Sequence, residues 1–402
     1  MQKNNTAIVV FLISILVLVL VLISILYSRI THTTDERPAG AWPVDNVAQQ
    51  EAVGYMKTEI QELTAQLLRE FPEDSYLMII AAKFYKQCDD PHKVMAIMEN
   101  GLKYNPENIE LNKIASQVAF GTGQYEKAVF FGKKILAIDS KYPEIYENLA
   151  DALIFSGEYL EAVEMIEKRI ETFGDSARSY WLLGKGHLLL MNYEKAKECY
   201  EKAFKKDPYL KRTHATNMAK IHMKLKQPEE AKKYMKIHRE IIAERKIKDV
   251  EDAKSKKYRI VMQSSGSELL AFSENLAELC VTGRKLYNDQ KKLKEAQQVF
   301  DGSCSIFKKA IAIDPDNADM HREFATIYIA TGIKLSKAER LAKKAVALEG
   351  SALNYYVLGH AYYKNSDKDK ALLAFKKAFE LDPDNMRYKQ AYDSMKRTKI
   401  RQ

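Results

Sequence analysis

The sequence predicts an all-α protein: an N-terminal transmembrane helix followed by an α-solenoid of about eight helix–turn–helix repeats. Three observations carry that prediction. Residues 7–27 contain no charged side chain. Beyond residue 72, small residues recur at a spacing near 34. Gly (16) and Pro (10) are too scarce among 402 residues to supply the turns of an all-β fold.

The apolar stretch AIVVFLISILVLVLVLISILY, residues 7–27, comes first. At helical rise it spans about 30 Å, the thickness of a hydrocarbon core. The apolar region of a cleaved signal peptide is shorter, roughly 7–15 residues, so an uncleaved single-pass anchor is expected. Residues 1–6 form a short tail ahead of it, and residues 28–46, with Pro38, Gly40 and Pro43, form a linker. Lys3 on one side is balanced by Arg29 and Arg37 on the other, so the distribution of positive charge does not fix the orientation. A short tail before a large C-terminal part is the layout of a signal anchor. It puts residues 28–402 outside the cytoplasm, in the periplasm if the source is bacterial.

The repeat is read from columns. In GQYEKA, GEYLEA and MNYEKA the final alanines, Ala128, Ala162 and Ala196, lie 34 apart. Ala231 follows after 35, and Ala338 and Ala371 are 33 apart. Twelve residues before most of them stands a small residue: Ser116, Ala150, Gly184, Ala219 and Gly359. Small residues let paired helices approach closely, while large apolar neighbours fill the space on either side. Proline cannot continue the helical ladder, and Pro72, Pro106, Pro208, Pro315 and Pro383 mark the stops. These columns resemble the tetratricopeptide repeat family, whose units are 34-residue helix pairs. The resemblance covers residues 72–238 as five repeats and 315–383 as two more.

The middle and the ends are less regular. Residues 239–314 read as an irregular helical segment with one lengthened repeat. A charged run, 239–261, extends the fifth unit's second helix. QSSGSELL then breaks it, because Ser265 and Glu268 have the spacing of a capping box for a new helix. From Ala296 the next stop, Pro315, lies 19 residues on instead of 12, adding about two helical turns. Residues 47–71, with Leu63, Leu67 and Leu68, read as an N-terminal capping helix, and 384–402 as a C-terminal one. Solenoids need such ends to cover the last apolar face.

Enzyme chemistry finds no foothold. LLGKGHLLL, residues 182–190, offers glycines, a lysine and a histidine, yet no strand precedes it. Gly184 falls in the small-residue column, so Lys185 is expected to point outward and His187 toward the core. The eight histidines are scattered, and Cys88, Cys199, Cys280 and Cys304 form no CxxC pair, so neither a metal site nor a cofactor is expected. Lys+Arg exceed Asp+Glu by 63 to 54, but the excess is spread along the chain. That pattern fits a solvated surface and gives no sign of a nucleic-acid footprint.

The resemblance implies a non-enzymatic scaffold that binds other proteins or peptides on the surface lined by the first helices. Tethered by residues 7–27, such a scaffold would serve assembly or maturation of an envelope or membrane-associated complex. Some family members clamp a partner's C-terminal carboxylates, and an adapter of that kind is the alternative. The matching columns here hold Lys113 and Gln117, then Asn148, then Arg178 and Leu182. Gln117 replaces an asparagine and Leu182 removes a cation. Lys113, Gln117, Asn148 and Arg178 are therefore the groove candidates, with Lys113 and Arg178 expected to be free in solvent.

Overall fold

The computed structural model describes residues 45–400, with the side chains of 47–244 and 267–397. The apolar segment 7–27 lies outside the described residues, and no helix among them is long and apolar enough to cross a membrane. The described residues form eighteen helices and no strand. Helix α1 (Asp45–Glu70) leads into α2 (Ser75–Gln87) and α3 (Pro91–Tyr104). The pairs α4 (Ile109–Gly121) with α5 (Tyr125–Ile138), α6 (Pro143–Ser156) with α7 (Tyr159–Phe173), and α8 (Ala177–Leu189) with α9 (Tyr193–Lys206) follow. A short helix, α10 (Pro208–Thr213), precedes α11 (Ala215–Lys224) and the long α12 (Pro228–Asp289). The chain then continues through α13 (Leu293–Ile313), α14 (Ala318–Thr331), α15 (Leu335–Leu348), α16 (Ala352–Lys364), α17 (Lys368–Leu381) and α18 (Met386–Ile400).

Local chemistry explains where these helices start and turn. Asp74, Asn108, Ser176, Asn317 and Ser351 each cap a first helix by accepting a backbone N–H three residues on. Within a pair, the tight turn requires one left-handed residue. Gly123 and Gly157 fill it freely, whereas Asp89, Met191, Lys226, Lys291 and Ser366 adopt the same positive φ.

The columns pack as the spacing demands. Ala128, Ala162, Ala196, Ala231, Ala338 and Ala371 are all buried. A Cβ placed on Gly184 would stand 3.0 Å from the Tyr200 ring, and one on Gly359 would stand 2.6 Å from the Phe375 ring. Glycine at both places is a matter of room for the aromatic ring of the second helix. Continuous burial of this kind, repeat on repeat, is what stabilises a solenoid.

Two features depart from what the sequence predicts. The break expected near Gly266 is absent, because Pro228–Asp289 is one helix of 62 residues. A capping box needs a chain that leaves the helix, and no proline follows Pro228 within it. One internal glycine costs only about 1 kcal/mol relative to alanine, too little to outweigh helix formers on both sides.

The second departure concerns α1, which does more than cover an end. The C-terminal part of α12 returns to the start of the chain. There Phe71 meets Tyr287 with ring centroids 4.8 Å apart, and Phe84 meets Phe272 at 5.6 Å. Leu67 sits against Gly283, where a Cβ would lie 2.8 Å away. Helices α1 and α2 thus share a core with α12, and the repeats fall into two runs joined both through α12 and through this contact.

Candidate peptide-binding groove

Helices α4, α6 and α8 place the four sequence candidates around one cavity of about 210 Å³. Lys113, Gln117, Asn148 and Arg178 form its polar rim, above a floor that includes Phe120, Ile135, Ile145 and Leu149. The fifth clamp column is absent from it. Leu182 is buried in the core, as a leucine on that helix face must be.

The rim is not a free cationic surface. Lys113 lies 3.6 Å from Glu110 on its own helix. Arg178 Nη2 donates to Asn148 Oδ1 at 3.0 Å and stands 3.4 Å from Asp151, while its Nε is 3.6 Å from Glu147. Glu147 is 7% exposed, accepts from Ser176 and Ser179 at 3.0 and 2.8 Å, and pairs with Arg169 at 3.2 Å. These donors fix the Glu147 carboxylate in place, and it in turn holds Arg178. The exposed amide of Gln117 has no hydrogen-bond partner among the described residues. The free groups on the rim are therefore mainly amides, over an apolar floor.

Lys185 corrects another expectation. It does not simply point outward: its Nζ is 3.3 Å from Asp151 and lies 4.3 Å over the Phe155 ring. A second depression, of about 620 Å³, shares Asp151 and Arg178 with the first and is walled by Trp181 and His214. The rings of Trp181 and His214 are 4.9 Å apart. Burial, reinforced by nearby Lys185, holds the His214 pKa below its ordinary value. His187 is buried as expected and is likewise lowered by burial. Among the described residues no three His, Cys, Asp or Glu side chains converge as a metal site would require.

Sequence reasoning misses Glu147 and Asp151. Asp151 is detectable, since it stands 34 residues before Lys185, in one column of adjacent repeats. Glu147 gives no such sign, because an acid between Ile145 and Leu149 looks the same whether it is exposed or buried.

Family models of the tetratricopeptide repeat match residues 119–185, 177–209, 215–236 and 352–385. The chain contains tetratricopeptide repeats. It is similar to Tetratricopeptide repeat protein 12 of Mus musculus, at 30% identity over 128 residues, covering 30% of this chain and 18% of that protein. It is also similar to TPR repeat-containing protein YpiA of Bacillus subtilis, at 25% identity over 153 residues, covering 38% of this chain and 36% of that protein. The chain thus spans well under two thirds of either relative's length. Among solved structures, the crystal structure of MamA aligns with a TM-score of 0.37 at 24% identity, covering 40% of this chain and 94% of that one. None of the matched family models describes an enzyme.

Proposed function

We propose that the protein is a membrane-tethered scaffold whose groove on α4, α6 and α8 captures a peptide segment of a partner, in the assembly or maturation of a membrane-associated complex. The tether rests on residues 7–27, 21 uncharged positions. The observation that carries the binding reading is the shared cavity, in which Gln117 and Asn148 flank an apolar floor. Side-chain amides can both donate to and accept from a peptide backbone, and the floor takes an apolar side chain. Because Arg178 already faces Glu147 and Asp151, a mixed polar and apolar segment suits this rim better than a free carboxylate. Tethering raises the local concentration of whatever the groove holds.

Cross-linking in native membranes, followed by capture of the full chain, identifies the partner and tests both parts. The chain should stay in the membrane pellet through high-salt and alkaline carbonate washes, since apolar burial is indifferent to screening. Gln117→Arg together with Lys113→Glu should reduce partner recovery without altering the melting temperature. Release by carbonate removes the tether, and full recovery by the double variant removes the groove.

A further inference from the structure

The groove does not end at the cavity of about 210 Å³. Asp151 and Arg178 stand on the wall between it and the depression of about 620 Å³ at Trp181 and His214. The two hollows therefore adjoin along the line of first helices, one repeat apart. Their chemistry differs. The smaller has an apolar floor that includes Phe120, Ile145 and Leu149. The larger is lined by three carboxylates, Glu147, Asp151 and Asp207, against two guanidinium groups, Arg169 and Arg178.

The cations around the larger hollow are already committed. Arg169 and Arg178 lie 3.2 and 3.6 Å from Glu147, and Lys185 lies 3.3 Å from Asp151. Asp207 differs. Its Oδ1 accepts the Tyr209 N–H at 3.0 Å, but no cation pairs with it among the described residues. One carboxylate is thus left in excess, on the same hollow as the Trp181 ring. Charge complementarity at such a wall calls for a cation, the opposite of the partner that a carboxylate clamp would take.

Resting on the reading of this groove as a peptide site, we propose that its ligand is an extended segment with an apolar and a basic side chain three residues apart. The apolar side chain fills the smaller cavity. The lysine or arginine enters the larger hollow and pairs with Asp207. Packed helices lie about 8–10 Å apart, which sets the distance between hollows of successive repeats. A polyproline-II chain rises about 3.1 Å per residue with three residues per turn, so residues i and i+3 face the same way about 9 Å apart. Its backbone is also unbonded, as the rim amides of Gln117 and Asn148 require. An α-helix has already bonded its own N–H and C=O groups.

A display library of random twelve-residue segments, selected on the detergent-solubilised full chain, tests the assignment. Enriched segments should carry an aliphatic residue and a lysine or arginine three positions apart. Asp207→Asn removes the charge but keeps the cap of α10, since asparagine caps a helix as well as aspartate does. It should weaken an enriched peptide about two- to five-fold, the worth of one partly exposed ion pair, and added salt should narrow the difference. The same peptide with glutamine in place of its basic residue should lose that factor on the wild-type chain and nothing further on Asp207→Asn. Enriched segments without a basic residue at that spacing, or equal affinity for wild type and Asp207→Asn, would overturn the basic anchor and leave the groove standing. Failure to enrich any segment that Lys113→Glu with Gln117→Arg releases would overturn the groove and this inference together.

Discussion

The guanidinium of Arg178 donates to the side-chain oxygen of Asn148 at 3.0 Å, tying the first helices of two successive repeats together beside the groove. The same guanidinium faces Glu147 and Asp151, so Arg178 has a structural role although its side chain is partly exposed. Arg178→Ala should therefore lower stability by about 1 kcal/mol, the upper range for a partly exposed ion pair. Arg169→Ala should cost more, about 2 kcal/mol, because it strips the deeper partner from a buried carboxylate. Gln117→Ala should be neutral. Urea unfolding of the three variants ranks them, and an Arg178→Ala midpoint equal to wild type would mean that this network adds nothing to stability.

Gly184 and Lys185 are adjacent in sequence but sit in different environments. Gly184→Leu should cost about 1–3 kcal/mol by overpacking against the Tyr200 ring. Lys185→Ala should cost about 0.5–1 kcal/mol, since it gives up an ion pair and a cation–π contact at a partly exposed site. Thermal melts check the order. A Lys185→Ala loss larger than that of Gly184→Leu would contradict the packing seen between α8 and α9.

The left-handed turn residues offer a gain of stability. Met191, Lys226 and Lys291 hold φ near +60°, at 61°, 57° and 58°. An L side chain there is strained by about 1 kcal/mol relative to glycine. Met191→Gly and Lys226→Gly should each raise the melting temperature, because native strain is relieved. The gain is reduced by the greater freedom of an unfolded glycine. A fall in melting temperature for both would mean that their side chains contribute more than the turns suggest.

Acid should weaken the fold through histidines that are buried or half-buried. Burial lowers the pKa of His187, His214 and His360 from the ordinary 6.5. The folded state thus binds fewer protons than the unfolded one, and the stability these groups contribute is present above pH 6.5. It is lost as pH falls through their lowered values. Glu323, raised by burial, acts in the opposite sense over part of this range. His360→Phe keeps the packing against Tyr356 and Phe375 while removing one titrating group. Its melting temperature should therefore fall less than wild type between pH 7.5 and 5.5. Parallel pH curves for the two proteins would exclude His360 as a contributor.

The repeat is readable because its determinants are local and recur. An alanine every 34 residues, a small residue twelve before it and a proline after it define helix pairs without knowledge of any distant contact. Gly184 and Gly359 can be assigned to packing on that basis alone, and the four groove candidates fall on one cavity because they lie on the first helices of three successive repeats. What pairs across repeats is less accessible. Whether Arg178 is free or held by Glu147 depends on the lateral offset of two helices, which a column cannot express.

The pairing of helices is already written in the residues, since close approach, capping and helix stops are short-range properties. The path of the chain between its two runs of repeats depends instead on contacts that form only in the folded molecule. A capping box at Ser265–Glu268 competes with continued helix by no more than about 1–2 kcal/mol. A choice so finely balanced is made by the rest of the fold. Here Pro228–Asp289 stays a single helix, and its far end packs Phe272 and Tyr287 against Phe84 and Phe71, roughly 190 to 220 residues away in sequence. No periodicity announces such a contact, because the apolar faces that make it look the same in sequence as those that face a neighbouring repeat.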